Sequence, residues 1–135
     1  MRAADREEVF ATRFDDGSEA LAHDIMQVPQ FVWVALKDDE PVAVIGARPM
    51  WPGVWCAFAF GTDRFDEVVL TLTKHVKRFM EPALERTAHL LVAYCHERHY
   101  KAQRWLVRLG AEPIAPVLEA WGRGRENFIL YGWRR

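Results

Sequence analysis

Apolar and polar positions alternate along the chain in two rhythms, one helical and one extended. Asp5-Arg6-Glu7-Glu8 opens a short helical pattern through Val9, Phe10 and Ala11. Asp5 is placed to cap it, and Glu8, three residues on, to complete a capping box. Asp15-Asp16-Gly17-Ser18 breaks the pattern. Ser18 is placed to cap a second helix whose Leu21, Ile25 and Met26 form an apolar stripe, with Pro29 as its stop. Residues 31–36 (FVWVAL) and 41–47 (PVAVIGA) are β-rich runs around the polar turn Lys37-Asp38-Asp39-Glu40, the pattern of an antiparallel hairpin. After the turn Met50-Trp51-Pro52-Gly53, residues 54–60 (VWCAFAF) add a third strand and make a meander. These strands are almost continuously apolar, as strands covered on both faces are.

A long helical stripe follows Gly61-Thr62-Asp63. Phe65, Val68, Val69, Leu72, Val76, Phe79 and Met80 recur at spacings of three and four, and Leu84 continues the stripe past Pro82, where the helix kinks or restarts. Residues 89–95 (HLLVAYC) form another strand. HERHYKAQRWLVRLG reads as a short helix that Gly110 ends. Pro113 to Trp121 is an apolar run with two prolines, suited to an edge strand. GRGREN is a turn, and residues 128–133 (FILYGW) form the closing strand. A helix between strands 54–60 and 89–95 implies a right-handed crossover and a parallel pair, so the sheet is mixed. The expectation is one α/β domain over residues 1–135, since a domain takes roughly 100–200 residues.

Composition narrows the function classes. Half of the residues are apolar and 27% are charged, and the longest apolar runs fall short of the ~18 residues of a membrane helix. The first ten residues, MRAADREEVF, are charged and lack an apolar signal region, so secretion by a signal peptide is not expected. Net charge is −1, split between −7 over residues 1–67 and +6 over residues 68–135. The basic residues are scattered, which fits two halves that attract each other better than it fits a nucleic-acid partner. Cys56 and Cys95 lie inside strand patterns and read as buried, reduced thiols. Ser18 is the only serine and no nucleophile elbow surrounds it. His96-x-x-His99 lacks the further ligands that zinc needs, so no metal is expected. His96, Glu97 and His99 end a strand, where a His or Glu of suitable pKa acts as a base, though such residues more commonly cap the next helix. Among six tryptophans, Trp33, Trp55 and Trp105 read as core. Trp51 and Trp121 flank turns and are the candidate interface anchors, together with the Arg134-Arg135 tail.

The order of elements over residues 20–133 resembles the Gcn5-related N-acetyltransferase (GNAT) fold. Its sharpest local piece is Ala102-Gln-Arg-Trp-Leu-Val-Arg-Leu-Gly110, which looks like the family's A-x-x-l-Y-x-k-l-G-F segment. A narrower resemblance is to GNAT-like internal-core proteins of podovirus-type phages. It rests on Trp55, the helix from Phe65, the run Trp105-Leu106-Val107-Arg108-Leu109-Gly110-Ala111, and Asn127-Phe128-Ile129-Leu130.

The GNAT resemblance implies an acetyl-CoA site, with the cofactor's diphosphate in a glycine-rich loop at the start of the long helix. Here that junction is Phe60-Gly61-Thr62-Asp63-Arg64-Phe65-Asp66-Glu67, in which only Gly61 matches and three carboxylates compete with a phosphate. Phe60, Gly61, Thr62 and Arg64 are the weak cofactor candidates. The family's tyrosine acid falls on Leu106, which leaves Tyr94, with His96 and Glu97 as bases, as the weak catalytic candidates. The expectation is therefore a non-catalytic GNAT-fold phage protein, virion- or head-associated. It would bind no cofactor, contact other phage proteins or itself, and reside in the host cytoplasm and then the virion. The alternative is an acetyl-CoA-dependent N-acetyltransferase with a diverged loop.

Overall fold

In a computed structural model that describes residues 1–134, the three β-rich runs form the expected meander: β1 (Val32–Lys37), β2 (Glu40–Trp51) and β3 (Gly53–Gly61). The first hairpin is tighter than a four-residue turn, because Lys37 already pairs with Glu40. Asp38 and Asp39 both take positive φ, 52° and 62°, as a two-residue hairpin whose twist matches its strands requires. Gly53, at φ 85°, turns the chain from β2 into β3. With β4 (Ala88–His96), β5 (Glu112–Pro113) and β6 (Phe128–Arg134) the sheet runs β1-β2-β3-β4-β6-β5. Among the described residues only β3 and β4 pair in parallel. The expected edge strand over 113–121 is reduced to β5 and one bridge from Leu118 to Phe128, since Pro113 and Pro116 cannot donate to a ladder.

Among the described residues five α-helices accompany the sheet: α1 (Ala3–Ala11), α2 (Ser18–Ile25), α3 (Val69–His75), α4 (Glu81–Glu85) and α5 (Tyr100–Arg108). Neither expected N-cap forms. Arg2 and Gly17 occupy the cap positions and no side chain caps either helix. Asp5 lies inside α1, with its carboxylate turned to the interior. The crossover helix is one rod from α3 to α4 through a π turn at Val76–Met80, which precedes Pro82 and places the irregularity a turn earlier than the proline. His99 stands at the N-cap of α5, but its ring turns elsewhere and gives no cap.

The two faces of the sheet are filled differently. Ile45, Ala47, Trp55 and Leu91 pack with Leu72, Val76, Met80 and Leu84 of the crossover rod. Cys95 and Tyr131 pack with Ala102 and Leu106 of α5. In β3, Cys56, Phe58 and Phe60 alternate with Trp55, Ala57 and Ala59 and point the other way, where α1 packs on β3 and α2 on β2. Trp33 and Trp105 are partly buried against the core, Trp55 is buried, and both cysteines are free thiols.

Candidate active site: a cleft where the sheet splits

β3 and β4 stay paired for four positions only, from Gly53↔Ala88 to Cys56↔Val92. Beyond that seam β3 continues along β2 as far as Gly61, and β4 continues along β6 as far as His96. The strands therefore diverge toward their carboxyl ends. Between them lies a cleft of about 410 Å³, lined by side chains from both faces of the sheet. Phe58, Phe60, Tyr94 and Trp121 form part of its wall, and Lys101 and Trp105 of α5 form another. Open α/β sheets bind ligands at such carboxyl-end crevices.

Helix α1 crosses the wide end of the split and ties both strands. The Gly61 N–H donates to Asp5 Oδ2 at 2.8 Å, and the Arg2 N–H donates to the Gly61 carbonyl at 2.6 Å. On the other side the His96 N–H donates to Glu8 Oε2 at 2.8 Å. Two backbone donors that lack a β3–β4 ladder are thus satisfied by carboxylates. Asp5 also accepts from Arg2 at 2.8 and 2.9 Å and lies 2.7 Å from His99 Nε2. Burial pushes the Glu8 carboxyl up. Burial also acts on Asp5, but the hydrogen bonds from His99, Arg2 and Gly61 overcome it and hold its carboxyl below the usual range.

The cofactor candidates are distributed unevenly. Phe60 lines the cleft, and Gly61 spends its N–H on Asp5. Thr62 Oγ1 accepts from the Arg64 N–H at 3.2 Å and closes the turn before the crossover rod. The Arg64 guanidinium binds Asp38 and Glu67 at 2.8 Å and reaches Glu40 at 3.5 Å. Asp66 is held by Lys101 Nζ at 2.9 Å. Hydrogen bonds from Lys101 and Arg64 lower the Asp66 and Glu67 carboxyls. Two of the three carboxylates at the helix start are therefore matched by cations, and the expected repulsion of a diphosphate is weaker than their count implies.

Of the catalytic candidates only Tyr94 lines the cleft, stacked on Trp121 with ring centroids 5.9 Å apart. Burial raises its phenol pKa. His96 is buried beside Phe128. Its Nδ1 accepts from the Arg98 N–H at 3.0 Å, so the ring proton sits on Nε2, which is buried without a partner and 3.4 Å from Glu7 Oε1. No lone pair of His96 is left for a substrate. Glu97 accepts from Asn127 at 3.3 Å away from the cleft wall. Trp51 and Trp121 are 58% and 51% exposed, and Arg134 is exposed. Arg135 lies outside the described residues. No group of His, Cys, Asp or Glu among the described residues could hold a metal ion, and no helix among them is long and apolar enough to cross a membrane.

Glu8, Asp5 and Lys101 were missed as site residues. The capping-box pattern gave the two carboxylates a local role, and nothing in the local pattern singled out Lys101. The available signal was the spacing of Asp5, Glu8 and Val9, which puts two acids on the same helix face as an apolar residue.

No protein-family model matches the chain, and no curated protein sequence does. Solved structures do match. A ribosomal-protein-alanine N-acetyltransferase from Brucella melitensis superposes with a TM-score of 0.70 at 15% identity, over 96% of this chain and 86% of that one. Ard1 from Thermoplasma volcanium gives 0.73 at 15% identity, over 96% and 90%. The acetyltransferase yncA from Salmonella typhimurium, solved with acetyl-CoA, gives 0.70 at 12% identity, over 94% and 78%. These likenesses correct the expectation of a non-catalytic phage assembly protein. The matching folds belong to acetyltransferases, one of them holding its cofactor, and the narrower phage resemblance is not carried by them. A mixed six-stranded sheet, split between its two parallel strands and crossed by the long helical rod, gives this chain the Gcn5-related N-acetyltransferase fold.

Proposed function

We propose that the protein is an acetyl-CoA-dependent N-acetyltransferase with a diverged diphosphate loop. The observation that carries this reading is the parting of β3 and β4 beyond Cys56 and Val92, which leaves a cleft of about 410 Å³ where a continuous sheet would leave none. Its size and its walls suit an extended arm with an acyl group. The loop at Gly61 fits a diphosphate less well, because its glycine N–H is already taken. Lys101, on the cleft wall, is a cation close to that loop, and it would exchange Asp66 for a phosphate to hold one. When bound, acetyl-CoA supplies an acyl thioester whose carbon–sulfur bond breaks as an amine nitrogen takes the acyl carbon.

The chain's own residues supply proton transfer and exclusion of water. Glu8 lines the cleft, and its raised pKa makes it a stronger base than an ordinary carboxylate. The His96 N–H and the Cys95 thiol both hold this carboxylate, which fixes its place in the cleft. Tyr94 keeps its phenol proton at neutral pH, on the same wall, available to a departing thiolate. Phe58, Phe60 and Trp105 make the surroundings apolar.

The test is a thermal melt with millimolar acetyl-CoA, followed by a mass-based assay for acetyl transfer. Binding to the folded state raises the melting temperature by mass action. An unchanged melting temperature at saturating cofactor would refute the proposal.

A further inference from the structure

We propose that the acceptor carries an anionic group several ångströms from its amine and that Arg13 and Arg48 hold that group; this rests on the acyltransferase reading above. The cleft is polarised along α1. Asp5, Glu8, Val9, Thr12 and Arg13 recur at spacings of three and four, and all line the cleft. The two carboxylates sit at the open end of the split, where they bind the ends of β3 and β4. Arg13 follows the last turn of the helix. Five positions separate it from Glu8.

Positive charge is in excess at the Arg13 end. Arg13 Nη2 donates to Asp24 Oδ2 at 2.8 Å, yet its Nε is buried with no partner. Among the described residues Asp24 is therefore the one carboxylate that meets the Arg13 charge. Arg48 lies directly across the β2–β3 ladder from Cys56, is exposed, lines the same cleft, and makes no ion pair among the described residues. It stands close enough to Asp24 for its field to be felt there alongside that of Arg13. One carboxylate thus serves two guanidinium groups. Leu21, Ile25, Phe58 and Trp121 give the same cleft apolar walls. An amine on Glu8, an apolar body on these walls and an anion beside the Arg13 and Arg48 guanidinium groups would match the cleft's polarity from end to end. A shallower groove at Gln27, Val28, Met50 and Trp51 shares Arg48 and Met50 with the cleft and leaves space for a longer acceptor.

Acceptors offered in matched pairs test this, with acetyl transfer read by mass. One pair is para-aminomethylbenzoate and benzylamine. The other is two short peptides with a free N-terminal alanine followed by glutamate or by lysine. The anionic member of at least one pair should have a kcat/KM higher by about tenfold to a hundredfold, the worth of a charge-assisted hydrogen bond. Arg48→Gln should narrow that ratio mainly through KM. The pair that shows the preference identifies the source of the anion, a small molecule or a peptide. Equal rates within both pairs, or an unchanged ratio in Arg48→Gln, overturn the proposal. Should no acceptor be turned over, ligand-observed NMR with para-aminomethylbenzoate and benzylamine on the cofactor-free protein decides. Arg48-dependent binding of the carboxylate alone sustains the anion subsite while the acyltransferase reading falls. Equal binding, or none, overturns the subsite.

Discussion

Asp5 Oδ1 and His99 Nε2 lie 2.7 Å apart, and both side chains are buried. With Gly61 N–H and Arg2 on the same carboxylate, one residue of α1 joins the end of β3 to the start of α5. The net effect of these bonds is a carboxyl below its ordinary value of 3.8, despite the opposing effect of burial. A depressed folded-state pKa gives stability that is complete above the unfolded value and lost as pH falls through the folded one. Asp5→Asn should therefore cost about 3 kcal/mol at neutral pH, the scale of breaking a buried ion pair. The deficit should narrow below about pH 4 in urea titrations. A deficit that stays constant into acid would contradict this account.

Glu8 behaves in the opposite sense. Its carboxyl is raised by burial, so ionising it in the folded state opposes stability as pH rises past the unfolded value of 4.5. Glu8→Gln keeps an acceptor for the His96 N–H and removes the charge. Its melting temperature at neutral pH should equal or exceed that of the parent protein. Acetyl transfer should fall by about a hundredfold or more, the usual weight of a general base. The parent rate should rise with pH through the elevated carboxyl pKa, and the variant should lose that limb.

Tyr94→Phe separates proton donation from packing. The ring stays stacked on Trp121, so stability should change by less than about 1 kcal/mol. If the phenol protonates the leaving sulfur, kcat falls about tenfold to a hundredfold with little change in the KM of either substrate. Steady-state kinetics at neutral pH measure it, and an unaltered kcat removes Tyr94 from the mechanism.

Gly61→Ala probes the loop. A Cβ there would lie 2.5 Å from Phe65 Cδ2 and 2.7 Å from the Val42 carbonyl, which accepts from Thr62 N–H. Backbone cannot yield as a flexible side chain does, so the substitution should cost about 1–3 kcal/mol. A calorimetric melt within error of the parent would show that the turn relaxes freely.

The strands and the crossover rod were legible because their apolar periodicity coincides with burial. Val54, Trp55 and Leu91, and Leu72, Val76 and Leu84, are core in both readings. The caps were misread because Asp5 satisfies a local rule while its tertiary partners decide otherwise, and because Ser18 is already the first helical residue, with Gly17 at the cap position. His99 and Gly61 lie 94 and 56 positions from Asp5, beyond any window of local pattern. His96 and Glu97 were chosen for chemistry at the correct strand end, but His96, on the same face of β4 as Tyr94, packs against its cross-strand partner Phe128 and takes the Arg98 N–H, so only Tyr94 lines the cleft. The three acids at the helix start were counted as charges; Arg64 matches Glu67 from three positions away and was legible, whereas Lys101 reaches Asp66 from 35 positions along the chain and was not.

The four-position seam has a mechanical corollary. The sheet consists of two three-stranded leaves, β1-β2-β3 and β4-β6-β5, hinged where Gly53–Cys56 meets Ala88–Val92. A small rotation about so short a hinge is magnified at the far end, five residues further along β3. The aperture there is spanned by two carboxylate side chains of α1, one clasping each leaf, so the width of the gap follows wherever that helix sits.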